Sequence, residues 1–236
     1  MHLLNTILDI IFPAKCILCG QTGVDLCLEC LSEAPSAERE SASWIFPLYD
    51  YRYPAIKKSL WLLKYNGKKR LAKVFAENIY DKMLEELSEL SVLQNFTEAI
   101  LIPIPLSPKR YAERGYNQAE LICEEIIKIN NQRQSLKHWP ASALGSVSCN
   151  LNLQKNILIK IKETEHQARI KNRNIRLKNV IDSFAIKDKE KNINLLKGRN
   201  IILIDDITTT GATLSEAKKV LKHSGARKVI AFTVAH

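Results

Sequence analysis

Long apolar runs are missing from this 236-residue chain. No stretch approaches the roughly 18 uncharged apolar residues expected of a membrane-crossing helix, so no transmembrane segment is predicted. No secretory leader is predicted either: no basic n-region precedes the N-terminal apolar residues, and Asp9 interrupts the run from Leu3 to Phe12. Cysteine is scarce, with six residues, too few for a disulfide scaffold of this length. These absences predict a reducing, cytoplasmic setting, where paired cysteines mean metal or redox chemistry. Acidic residues are outnumbered, 25 against 35 Lys plus Arg, leaving a net charge of +10. That excess favours anionic partners, whether nucleic acid, phosphorylated metabolites or an acidic membrane surface, and does not choose among them. There is no internal repeat, and His166, His223 and His236 lack metal-ligand spacing.

What is present looks globular. An apolar fraction of 46% and a charged fraction of 25% exclude a largely disordered chain. The length suits one domain plus a small module. Residues 1–34 read as an N-terminal helix and a cysteine module, and residues 44–236 as the main domain. A Ser-, Glu- and Ala-rich linker, 34–43, joins them. Helical spacing of Leu3, Leu4, Ile7, Leu8 and Ile11 predicts a short amphipathic helix ending before Pro13. The aromatic stretch 44–53, with Pro47 inside it, predicts two short strands or a hairpin. Helices are expected over 54–64, 71–87, 119–129 and 213–223, and buried strands over 99–104, 200–204 and 228–234. Residues 130–150 read as a surface loop or insertion. Apolar strands alternating with helices predict an α/β fold, a doubly wound and mostly parallel sheet covered on both faces.

Four cysteines fall as two CxxC pairs, Cys16, Cys19, Cys27 and Cys30. Each CxxC turn presents two thiolates on one side of a knuckle, and two turns complete a tetrahedral zinc shell. Such a site would be structural, with no open position for water. Redox-active dithiols or free thiols are the alternative.

Near the C-terminus the apolar residues 201–204 end in Asp205 and Asp206, then run through Thr208, Thr209, Thr210 and Gly211 into a helix. Hydroxyls and backbone amides at a helix N-terminus suit a phosphate, and Gly211 lets the backbone approach it. Two carboxylates beside a phosphate would accept hydrogen bonds from vicinal hydroxyls, which points to a phosphorylated sugar. An ordinary strand, cap and helix of another doubly wound protein is the bland alternative. Further upstream, Pro103 and Pro105 place a tight turn at a strand's C-terminal end, the ligand side of an open α/β sheet. Lys109, Arg110 and Arg114 follow it as candidate pyrophosphate contacts, or as a solvated helix face.

The run from Ile201 to Thr213 resembles the signature of type I phosphoribosyltransferases, which bind phosphoribosyl pyrophosphate. That resemblance gives Asp205 and Asp206 the ribose hydroxyls, and Thr209, Thr210, Gly211, Ala212 and Thr213 the 5′-phosphate. Combined with the cysteine quartet, the chain resembles the ComF family of competence proteins. Leu63-Lys64-Tyr65-Asn66-Gly67 is similar to the family's LKYxG motif. Pro103-Ile104-Pro105 and Arg114-Gly115-Tyr116-Asn117-Gln118 are similar to its PxP and RGxNQ motifs. Thr164, Gln167, Arg176, Asn179 and Phe184 fit its TxxQ and RxxN…F pattern. Lys64, Arg114, Asn117 and Gln118 thereby join the candidate substrate contacts. Lys160 stands where the family usually has Arg, and His166 where it has Pro.

Two functions follow from the resemblance. One is DNA uptake in natural transformation, with single-stranded DNA and the uptake machinery at the inner membrane as partners and phosphoribosyl pyrophosphate as a bound ligand. The other is phosphoribosyl transfer to a nitrogenous base with Mg²⁺, Asp205 and Asp206 stabilising positive charge at the anomeric carbon. The basic stretch 160–178 serves either reading. Arg169, Lys171, Arg173 and Arg176 could line a nucleic-acid backbone, close over a phosphorylated ligand, or face solvent.

Overall fold

The structure is a computed structural model that describes residues 13–38, 42–94, 96, 98–135, 151–163 and 180–236. Five strands form a parallel sheet in the order β1-β7-β6-β2-β3. They are β1 Ile45–Tyr49, β2 Ala99–Pro103, β3 Asn152–Leu153, β6 Asn200–Ile207 and β7 Lys228–Ala235. Two further strands, β4 Leu158–Lys160 and β5 Phe184–Ile186, pair antiparallel in a separate ribbon. Helices are α1 Leu28–Ser32, α2 Pro54–Tyr65, α3 Leu71–Gln94, α4 Pro108–Arg114, α5 Gln118–Ser135, α6 Lys189–Leu196 and α7 Ala212–His223.

The central strands are apolar on both faces, and alternate residues enter different cores. On β6, Ile202 and Ile204 join a core with Phe75 and Ile79 of α3 and Ile122 and Ile126 of α5. Their neighbours Ile201 and Leu203 join a second core with Leu214, Ala217 and Leu221 of α7, Leu158 of β4 and Phe184 of β5. The sheet is thus covered on both sides, as its patterning predicts. Residues of the cysteine module belong to the first core: Leu26 and Leu31 are buried with Ile56 and Leu60 of α2. Lys58 donates to the Ile17 carbonyl (3.1 Å), and Lys68 reaches the buried Asp25 carboxylate (3.0 Å).

Three expectations need correction. Residues 44–53 form no hairpin: β1 is a single strand lying parallel to β7, with Ile45 opposite Ala231 and Phe46 opposite Phe232. Pro47 fits there because β1 is at the sheet edge, where a missing N–H costs no ladder bond. The helix expected to end at Ile129 continues to Ser135, because Asn130 is buried and accepts from the Tyr80 hydroxyl (3.0 Å). Lys160, read as the head of a basic stretch, ends β4 and is buried. The helix expected over 3–11, the remainder of the insertion and Arg169, Lys171, Arg173 and Arg176 lie outside the described residues.

Candidate functional site

The C-terminal ends of β2 and β6 meet at one edge of the sheet, where Pro103 lies beside Ile204 and the Ile104 amide donates to the Ile204 carbonyl (2.9 Å). A cleft of about 240 Å³ opens beyond them. It is lined by Asp205, Asp206, Thr209 and Thr213 on one side and by Lys64, Pro105, Arg114, Asn117 and Gln118 on others. These residues come from segments up to 149 positions apart in sequence (Lys64 to Thr213). Pro103, Thr210, Gly211 and Ala212 are not among the lining residues.

Within the cleft the acidic pair is asymmetric. Asp206 is buried and its Oδ2 is 2.9 Å from the Lys64 ammonium. Asp205 accepts the Asp206 amide on Oδ1 (2.8 Å). Burial, and then the charge of Asp206, push the Asp205 carboxyl up to about 7, against the opposing pull of the amide, Lys64 and Lys160. Lys160 lines the opposite wall, its ammonium 5.5 Å from the Phe184 ring centroid. Burial and the neighbouring Arg110 push its ammonium down to about 8. Sequence reasoning read Lys160 only as the head of a basic stretch, since its place in the cleft depends on the pairing of β4 with β5.

The loop between β6 and α7 is held by tertiary contacts. Thr208 donates its amide to the Ala235 carbonyl (2.9 Å), and His236 Nε2 donates to the Thr209 carbonyl (2.8 Å). His236 therefore positions the loop, a role no local sequence signal announces. Gly211 has φ +70, and a Cβ there would meet Ile45 Cδ1 at 3.1 Å. Both restrictions favour glycine immediately before α7, whose first turn points at the cleft with no side-chain cap from Gly211.

The LKYxG-like and RGxNQ-like segments interlock. Tyr116 donates its hydroxyl to the Leu63 carbonyl (2.5 Å), and Arg114 Nη2 donates to the Tyr65 hydroxyl (3.3 Å) while covering its ring (5.0 Å). Gly115, at φ +74, ends α4 and lets the chain turn between these contacts. Asn117 spends its side chain on the scaffold, donating to the Ile104 carbonyl (3.0 Å) and accepting from the Ala119 amide (3.1 Å). Gln118 accepts from Arg114 Nη1 (2.8 Å).

The cysteines form a second cluster, in the module that shares a core with α2. The ligand atoms of Cys16, Cys19, Cys27 and Cys30 all lie within 4.8 Å of one another, with Cys19 and Cys27 sulfurs 3.6 Å apart. Backbone amides point at them: Cys27 N donates to Cys16 Sγ and Cys30 N to Cys27 Sγ, each at 3.5 Å. Burial raises the Cys16 thiol, but the amides of Cys27, Leu18 and Cys19 outweigh it and hold the group below its ordinary value. Four convergent thiols with amide support fit a tetrahedral zinc ion and could hold one.

The chain is similar to several known proteins. The family described as phosphoribosyl transferase domain matches residues 150–236. The chain is 34% identical over 144 residues to the competence protein ComFC of Bacillus subtilis, covering 57% of this chain and 43% of that protein. It is 31% identical over 184 residues to ComFC of Streptococcus pneumoniae, covering 76% and 63% respectively. The DNA utilization protein YhgH of Salmonella typhimurium is 24% identical over 220 residues, covering 90% and 81%. Among solved structures, a hypoxanthine phosphoribosyltransferase from Staphylococcus aureus aligns at TM-score 0.32 and 11% identity, covering 68% of this chain and 62% of that one. The chain thus spans less than two thirds of either ComFC relative. These matches and the motifs its fold assembles support a ComF-family protein with a phosphoribosyltransferase-type domain.

Proposed function

We propose that this protein acts in the uptake or use of DNA in the cytoplasm, and that its cleft binds phosphoribosyl pyrophosphate. The observation that supports the ligand is the placing of Asp205 and Asp206 at the end of a buried parallel strand, beside a helix N-terminus and opposite Lys64, Lys160, Arg110 and Arg114. In this reading the carboxylates accept the ribose hydroxyls, and residues 209–213 take the 5′-phosphate through hydroxyls and amides. Arg114 and Lys64 face the pyrophosphate side, where fixed cations neutralise a spread anion. Asp205 and Asp206 are hard oxygen donors and fit a Mg²⁺ ion arriving with the ligand, whose chemistry is to neutralise pyrophosphate charge. The cysteine centre serves as a structural zinc site that fixes α2 against the core. Isothermal titration with phosphoribosyl pyrophosphate and Mg²⁺ tests the cleft. Absence of binding, or undiminished binding by the Asp205→Asn/Asp206→Asn variant, overturns the assignment.

A role in DNA uptake or use draws its support from the names of the relatives, and the net charge of +10 suits direct contact with single-stranded DNA. The uptake machinery at the inner membrane is the corresponding partner; among the described residues no helix is long and apolar enough to cross a membrane. A second reading is turnover, with phosphoribose passing to a nitrogenous base. It is favoured by the match of residues 150–236 to a phosphoribosyl transferase domain. Here Lys64 and Arg114 offset the charge of departing pyrophosphate, while Asp205 and Asp206 steady the cationic anomeric centre. Pyrophosphate release in the presence of candidate bases distinguishes an active transferase from a binding protein.

A further inference from the structure

Lys64 stands in the last turn of α2 with its ammonium 2.9 Å from Asp206 Oδ2. The two side chains are only 16% and 12% exposed, so this pair is better shielded from water than the ion pairs along α3 and α5. Both neighbours of Lys64 are clamped. The Leu63 carbonyl accepts from the Tyr116 hydroxyl, and Tyr65 is gripped by Arg114 through its hydroxyl and its ring. Arg114 itself bonds neutral partners, Tyr65 and Gln118. This bracing sets the Lys64 ammonium on the same carboxylate that the sugar-phosphate reading gives to the ribose. Without a ligand the cleft therefore neutralises Asp206 from within, and a ligand that takes Asp206 must first part it from Lys64. Parting a shielded ion pair is costly unless each member finds a new partner, so the ligand has to offer the ammonium another anion.

We infer that Lys64 sets the specificity of the cleft as an exchangeable counter-ion, resting on Asp206 until a pyrophosphate draws it away. The inference rests on the reading of the cleft as a phosphoribosyl pyrophosphate site. A ligand with pyrophosphate beside its ribose gives the ammonium a new partner in the same movement that frees Asp206 for the sugar hydroxyls and an accompanying cation. A plain sugar phosphate frees Asp206 only by leaving Lys64 unpaired. A bare divalent cation meets an ammonium already on the carboxylate it needs. The cleft thus turns away both, although the acidic pair and residues 209–213 offer each of them donors or acceptors. Lysine suits this exchange, because a point charge on a flexible four-carbon stem changes partners without the planar geometry that a guanidinium demands.

The test uses the full chain and its Lys64→Gln, Lys64→Arg and Asp206→Asn variants. Calorimetric titrations are made with phosphoribosyl pyrophosphate plus Mg²⁺, with ribose 5-phosphate, and with Mn²⁺ alone. Lys64→Gln should weaken phosphoribosyl pyrophosphate by about tenfold while tightening ribose 5-phosphate and Mn²⁺ by about tenfold each. Adding Asp206→Asn to Lys64→Gln should cancel the Mn²⁺ gain, which assigns that ion to the acidic pair rather than to the cysteines. Lys64→Arg keeps the charge and should hold Mn²⁺ off as the parent does. A lysine that only contacts pyrophosphate would give Lys64→Gln the first loss and neither gain, and that outcome overturns the proposal. Because Lys64→Gln leaves Asp206 unpaired and costs stability, thermal unfolding of the parent supplies an independent reading. Mn²⁺ alone should leave its melting temperature unchanged, and a stabilisation by Mn²⁺ that Asp206→Asn abolishes refutes the exchange without any Lys64 variant. Failure of the parent to bind phosphoribosyl pyrophosphate refutes the cleft reading instead, while the Mn²⁺ results still decide whether Lys64 guards Asp206.

Discussion

Because burial and the neighbouring Asp206 hold the Asp205 carboxyl at about 7, its two protonation states differ in what they offer a ribose. Only the carboxylate is a full acceptor for a sugar hydroxyl, so ligand affinity should fall as pH drops below 7, by up to about tenfold per pH unit. The ligand's own phosphates titrate nearby, and the Asp205→Asn variant separates the two: its residual pH dependence should be flatter than the parent's. For stability the sign is opposite. The folded chain keeps this proton where the unfolded chain has released it, so the contribution of Asp205 is lost as pH climbs from the ordinary carboxylate range to about 7. Thermal unfolding should accordingly show Asp205→Asn gaining on the parent at pH 8 and losing that advantage near pH 5. At Gly211 a change to Ala should lower stability by about 1–2 kcal/mol from the left-handed backbone alone, with the Ile45 contact adding to it. Denaturant titration measures that loss.

Elements carry the next set of consequences. The cysteine module and α2 share a core, with Leu26 and Leu31 against Ile56 and Leu60, and α2 ends at Lys64 and Tyr65. Removing the metal should therefore reach the cleft. One zinc per chain is expected by metal analysis, and chelation should lower the melting temperature and weaken phosphoribosyl pyrophosphate binding in parallel. A chelated protein that binds the ligand normally would separate the module from the cleft. The buried strands were legible in the sequence because Ile100–Ile102, Ile201–Ile204 and Val229–Phe232 are apolar on both faces and signal their burial locally. β1 was misread since its partner, β7, lies some 186 positions away (Ile45 opposite Ala231), and aromatic residues around a proline carry no mark of such pairing. The carboxylates, the glycine and the cysteines announced themselves by spacing, whereas Lys160 and His236 did not. Their roles come from a short antiparallel ribbon and a carbonyl contact, both set by tertiary structure.

On the scale of the whole molecule, the charge of +10 makes salt the lever on any contact with nucleic acid. Each phosphate contact removed should flatten the logarithmic salt dependence by roughly 0.7 for a single strand. Replacing Arg169, Lys171, Arg173 and Arg176 by Gln should weaken strand binding at every sequence, most visibly at low salt, with little effect on phosphoribosyl pyrophosphate. Loss of the small ligand with an unchanged salt slope would instead assign that stretch to the cleft. The strand order has a consequence of its own. β7 lies between β1 and β6, so β1 finds its neighbour only after β7, some 186 positions further along (Ile45 opposite Ala231), has been made. Until then β6 presents an open edge beside the acidic pair, and β1 has nothing in the sheet to join. Assembly of the cleft thus waits for the synthesis of β7. Ribosome-stalled chains lacking β7 should be protease-sensitive throughout the sheet, and should acquire protection in one step as residues 228–235 clear the exit tunnel.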